Sequence, residues 1–242
     1  MINLDILLFT AFPYFALFIC IVGSIYRYKF LSFKYSSLSS EFLEQRKLFW
    51  GTIPFHIGIS LIFLGHLFIF IFPKETLAIN SYPLRLIIIE AGAFILGLSA
   101  LVGLTGLFIR RLTNKRINIV TSKMDIFIEA LLLVQIFLGV WIAYDYRWGS
   151  SWFAAVLSPY LYSLLYFSPD ITAVSQLPWV IKLHIIGAFL IVLLIPFSRL
   201  VHFIVAPFSY IWRPYQKVVW YRSKNRVRNP EENWGVTRPK NN

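Results

Sequence analysis

Residues 49–72 read FWGTIPFHIGISLIFLGHLFIFIF, an apolar run with no Asp, Glu, Lys or Arg and with two histidines, His56 and His66, set into it. At about 1.5 Å of rise per residue, a helix of this length matches the roughly 30 Å hydrocarbon layer of a bilayer. Inside that layer a helix satisfies all of its own backbone N–H and C=O groups, which a lone strand or loop does not. The stretch therefore predicts a membrane-spanning helix. An imidazole held in hydrocarbon needs partners for its ring nitrogens, so the two histidines point to function.

Working outward, four further apolar runs lie near 4–26, 84–109, 124–144 and 179–204. The expected fold is all-α, an integral membrane bundle of five transmembrane helices. The whole composition agrees, with 58% apolar and 14% charged residues and a mean hydropathy of +0.67, far from a soluble balance. The first run has neither a basic leading segment nor a small-residue cleavage site, and is expected to be a retained helix. Residues 1–207 are read as the five-helix domain and 208–242 as a C-terminal tail that turns polar, with Pro230 and Pro239, after Asn229. The single cysteine, Cys20, excludes a disulfide framework and a cysteine metal site within the chain. A formal charge of +12 raises nucleic acid as a partner, but no basic stripe interleaved with stacking aromatics occurs on a soluble module.

Membrane orientation accounts for that charge. Arg27, Lys29, Lys34, Arg46 and Lys47 follow the first span, Lys74 alone lies in the next connection, and Arg110, Arg111, Lys115, Arg116 and Lys123 follow the third. The fourth connection is long yet carries only Arg147, while eight more basic residues lie in the tail, from Arg213 to Lys240. By the positive-inside rule the tail is cytoplasmic and the N-terminus outside, in a cytoplasmic or inner membrane. The fourth connection, with Trp148, Trp152, Tyr160, Tyr162 and Tyr166, is expected to form a short amphipathic cap at the outer interface.

All four histidines fall in the second and fifth spans: His56 and His66 in one, His184 and His202 in the other. The second span runs outward and the fifth inward, so depth pairs His66 with His184 near the outer surface and His56 with His202 near the inner one. Read as ideal helices, His56 and His66 are separated by roughly 15 Å and lie about 80° apart in direction, whereas His184 and His202 are separated by roughly 27 Å on one face. The two sites are therefore expected to be inequivalent. Two neutral imidazoles without carboxylate or thiolate make a poor hard-cation site and an incomplete zinc site. They suffice as the fifth and sixth ligands of a porphyrin iron, which would leave no open position and so favour electron transfer. The four histidines are thus read as axial ligands of two b haems, with Gly58, Gly65 and Gly187 giving room between helices. A membrane di-iron enzyme would ask for more histidines, closer together, and a cofactor-free transporter whose histidines relay protons remains the reading from another class.

Several stretches resemble a known family: Gly23-Ser24 with Arg27-Tyr28, Phe55-His56-Ile57-Gly58-Ile59 with Gly65-His66, Asp125 with Gln135 and Leu138-Gly139, Leu183-His184 with Gly187, and Pro196-Phe197-Ser198-Arg199-Leu200-Val201-His202. Together, in order over nearly the whole chain, they resemble the gamma subunit of respiratory nitrate reductase, a diheme membrane cytochrome b that oxidises quinol. The resemblance implies the same two axial pairs. It also implies a tail docked on an iron-sulfur beta subunit, which feeds a molybdenum-containing alpha subunit that reduces nitrate, so that no nitrate chemistry occurs in this chain. Better-known members carry a lysine early in the third span. Here the nearest cation is Arg85.

On this reading quinol is oxidised beside the outer haem, with Gly65, His66, Arg85 and Glu90 as expected contacts, and electrons pass inward. Glu90 is placed to accept a proton from quinol, although a carboxyl hydrogen-bonded to a neighbouring helix is the plainer expectation for it and for Glu129. Arg199, Arg110 and Arg111 are expected propionate partners for the inner haem and Lys182 for the outer. Related cytochromes serve nitrite-oxidising, sulfur and heterodisulfide reductase-like complexes, so the attached catalytic module stays open at this point.

Overall fold

Proline and capping residues punctuate the apolar runs into helices. The computed structural model describes residues 4–30, 45–114, 117–118 and 121–203, with the backbone alone for 45–49, all within one unit, Met1–Val205. The tail expected over 208–242, and Lys34, Lys115 and Arg116 of the loops, lie outside the described residues.

Helix α1 spans Leu4–Phe30, with a π-helical stretch at Leu7–Ala11. Helix α2 is Gln45–Ile71, and α3 is Pro73–Asn80. Helix α4 is Pro83–Thr113, whose leading proline suits a position where the N–H has no helical acceptor and whose last turn carries Arg110 and Arg111. Helix α5, Lys123–Asp145, starts from a capping box in which Ser122 accepts from the Asp125 N–H and Asp125 accepts from the Ser122 N–H. A cap of short helical pieces over 149–165 and a single turn at Thr172–Ser175 follow, then helix α6, Trp179–Leu194. Five helices, Leu4–Phe30, Trp50–Ile71, Pro83–Thr113, Lys123–Asp145 and Trp179–Phe197, are long and apolar enough to cross a membrane.

The fifth span departs from its expected course. The α-helix ends at Leu194, a 3-10 turn covers Ile195–Phe197, Ser198 is extended at φ −118°, ψ 176°, and a second 3-10 stretch covers Arg199–Phe203. The cause is Pro196, which supplies no N–H and whose ring obstructs the carbonyl one turn back. Arg27 Nη1 donates to the Pro196 carbonyl from α1. His184 and His202 therefore do not share one continuous five-turn helix, so the ideal helix geometry behind the expected 27 Å spacing and common face does not apply to them.

The helices pack in the sequence α2 on α4, α4 on α5, α5 on α6 and α6 on α1. The α2–α4 seam is closest, because a Cβ at Gly58 would lie 2.6 Å from the Leu96 carbonyl and one at Gly103 2.6 Å from the Phe55 nitrogen. Large apolar side chains such as Phe18, Ile57, Leu64, Ile88 and Val102 face outward, as a lipid-facing surface requires. Near the cap, Phe9, Leu138, Ile142, Leu157, Tyr160, Leu164, Val174, Val180, Ile181 and Ile185 form a buried cluster. Tyr160 belongs to that core and not to the outer interface: its ring is 2% exposed and its hydroxyl donates to the Phe9 carbonyl at 2.8 Å. Burial pushes this phenol above its usual range. Tyr166, at 75% exposed, does sit at the surface of the cap.

Candidate functional site

Three of the four imidazoles are tethered in the same way. His56 Nδ1 lies 2.8 Å from the Thr52 carbonyl, His66 Nδ1 2.9 Å from the Ile62 carbonyl, and His202 Nδ1 2.6 Å from the Arg199 carbonyl. A carbonyl only accepts, so each Nδ1 carries the proton and the neutral ring has its lone pair on Nε2. Hydrogen bonding of the non-ligating nitrogen to a backbone carbonyl is the support a metal-bound imidazole needs, since it fixes tautomer and ring direction. All three residues are exposed in the bundle, with Nε2 turned away from its own backbone anchor.

His184 is held differently. Its Nδ1 is buried and meets no hydrogen-bond acceptor among the described residues. Its support comes from α5, where Gln135 Nε2 donates to the His184 main-chain carbonyl at 2.9 Å and a Cβ at Gly139 would lie 3.1 Å from the ring's Cε1. Phe153 of the cap meets the His66 ring edge-on at 5.3 Å. Phe203 meets Phe63 at 5.1 Å, which brings the segment bearing His202 against α2 between His56 and His66.

These residues fit a haem. Imidazoles pre-set to offer Nε2 are its natural ligands, and among the described residues no three His, Cys, Asp or Glu side chains converge as a cluster able to hold a metal by themselves. At Gly65, next to His66 in sequence, an added Cβ would meet nothing within 4 Å, so the space beside this turn of α2 is open.

The charged residues named from sequence are placed less uniformly. Glu90 accepts from the Gly149 N–H at 3.1 Å, the Ser150 N–H at 2.9 Å and the Ser150 hydroxyl at 2.6 Å, so both of its oxygens are committed to the cap. Arg85 lies over the Tyr82 ring at 4.4 Å and is exposed. Five residues apart on one helix, Arg85 and Glu90 point about 140° away from each other, while Glu90 meets Ser150 and His66 meets Phe153, both in the cap. Glu129 pairs with Arg111 Nε at 2.7 Å. Arg199 Nε pairs with Asp125 at 2.9 Å, and Lys182 with Asp5 at 3.5 Å. Arg27, Arg199, Ser122 and Ser198 line a cavity of about 130 Å³ at the end of the bundle away from the cap.

Five apolar spans, with every histidine of the chain on or just beyond two of them, define a multi-pass membrane protein of electron transport. The chain belongs to the nitrate reductase gamma subunit family, whose description matches residues 5–221. It is 33% identical over 230 residues to the nitrate reductase gamma chain of Bacillus subtilis, covering 90% of this chain and 98% of that one. It is 32% identical over 219 residues to the respiratory nitrate reductase 2 gamma chain of Escherichia coli, covering 89% and 96%. A nitrate reductase-like protein, NarX, of Mycobacterium tuberculosis is 28% identical over 91% of this chain and 34% of its own length. Gamma chains are parts of an oxidoreductase complex, so the expected family and helical membrane fold both stand.

Proposed function

We propose that this chain is the membrane cytochrome b subunit of a respiratory nitrate reductase, oxidising quinol at the membrane face that carries the cap. His66 with His184, and His56 with His202, would each hold one b haem. Bound there, the haems would supply one-electron carriage between the two faces, with an iron-sulfur beta subunit and a molybdenum-containing alpha subunit as partners on the cytoplasmic side. The observation that carries this reading is the tether at His56, His66 and His202, where the backbone takes Nδ1 and leaves Nε2 for iron.

The chain's own residues divide the remaining work. Gly65 and His66 line the approach proposed for quinol near the cap. Glu90 holds the cap over that end through Gly149 and Ser150. The acceptor of quinol's protons is accordingly sought elsewhere than Glu90. At the other end Arg199, Arg110 and Arg111 offer positive charge to propionates, as Lys182 does near the cap. The alternating basic loops favour the cap as the outer side.

A pyridine haemochrome assay on the purified complex tests the reading. Two b haems per chain are expected, with His66→Ala removing one spectral component and leaving the other. One haem or none in the parent protein would overturn it.

A further inference from the structure

We propose that Gln135 is a positioning residue for the His184 imidazole, acting through the backbone of α6; the inference rests on the haem reading above. Gln135 and Gly139 are one turn apart and share a face of α5. Gln135 Nε2 donates at 2.9 Å to the carbonyl of His184, an oxygen in the interior of a helix that already has the usual acceptor role to the N–H one turn on. Its Oε1 fills the place that a Cβ at Gly187 would take. The amide is thus clasped by α6 on both its atoms, across residues 184 and 187, which lie one above the other on a single face.

Gly139 completes the clasp at the ring. With a hypothetical Cβ only 3.1 Å from Cε1 and 3.8 Å from Nε2 of His184, any larger residue would push the imidazole away. One face of α5 therefore fixes both the height of α6 at residue 184 and the direction of its ring. The other three histidines are steered by a carbonyl three or four residues back on their own chain segment. His184, whose buried Nδ1 has no acceptor among the described residues, depends on a neighbouring helix instead.

Plain helix packing is the alternative, since a glutamine in a membrane bundle commonly joins two helices by a hydrogen bond. A packing bond affects stability without singling out one ligand. The electron paramagnetic resonance of a low-spin ferric bis-imidazole haem depends on the mutual angle of its two ring planes, and its reduction potential on ligand orientation and bonding. The test compares Q135L and G187A with the parent in membranes holding the full complex, reading haem content, the largest g value of each haem and each midpoint potential. The signal missing in His66→Ala identifies the haem held by His184.

Q135L is expected to shift that signal and its potential, or to lose that haem alone, while the second haem keeps both values. G187A, which retains the amide but displaces it, should move the same signal. Unchanged spectra in both variants, or equal shifts of both haems, would overturn the proposal. Should Q135L lose both haems, the outcome rests on G187A, where a selective shift supports the clasp and no shift defeats it. A parent complex with fewer than two haems would instead defeat the haem reading, before any variant is compared.

Discussion

Arg199 Nε stands 2.9 Å from Asp125 Oδ1, joining the segment beyond the Pro196 break to the first turn of α5. Asp125 is only 6% exposed, and its second oxygen caps α5 through the Ser122 N–H. Asp125→Ala removes both roles. Loss of one partner from a buried pair costs about 3 kcal/mol, and loss of a cap about 1 kcal/mol. Thermal unfolding in detergent should show the larger part of this loss already present in Arg199→Ala, with the double variant less destabilised than the two singles added together.

The seam between α2 and α4 sets up a contrast between two glycines on one helix. A Cβ at Gly103 would lie 2.6 Å from the Phe55 nitrogen and 2.7 Å from the Gly51 carbonyl, backbone atoms that do not swing aside. One at Gly106 meets nothing within 4 Å. Gly103→Ala should destabilise by about 1–3 kcal/mol through overpacking, and should perturb the spectrum of the haem proposed at neighbouring His56. Gly106→Ala should leave the spectra alone and raise stability by up to about 1 kcal/mol from helix propensity.

Glu90 ties α4 to the cap with three accepted hydrogen bonds. In Glu90→Gln one oxygen becomes an NH2 group facing N–H donors, leaving at least one bond unmade at a cost of about 1–3 kcal/mol. Limited proteolysis should cut the 146–178 connection faster in this variant. Quinol turnover should fall only as far as the cap is loosened; abolition of turnover with the cap intact would return Glu90 to a direct role in proton transfer.

Asp170, outside the spans, accepts from the Thr172 hydroxyl and N–H, which hold its carboxyl below the usual carboxylate range. A depressed folded value means that this contribution is present above the unfolded value, about 3.9, and is lost as pH falls through the folded one. The protection of the Thr172 amide, measured against its intrinsic exchange rate at each pH, should fall as pH drops through the folded value, and Asp170→Asn should remove that pH dependence.

The spans were legible in the sequence because each is an apolar run of the right length, and the prolines at 73 and 83 mark where chains re-enter helix. The break in the fifth span was passed over because residues on both sides of it stay apolar, and hydropathy carries no record of a dihedral angle. Pro196 was the available signal. His56 and His66 stood out since two imidazoles in hydrocarbon have few bland explanations. Glu90 and Gln135 were harder to read: their partners, Ser150 and His184, lie 60 and 49 residues away, and such pairings come from packing and not from spacing.

The interruption at Pro196 and Ser198 also bears on how the two ligand positions vary through mutation. His56 and His66 ride one unbroken helix, so a roll of α2 turns both rings by the same angle. His184 sits on α6 and His202 in a separate 3-10 stretch beyond an extended residue, anchored through Arg199 to α5. A roll of α6 is not transmitted rigidly to His202. The fifth span thus behaves as two independently adjustable mounts, and substitutions that retune one site through it need not be compensated at the other.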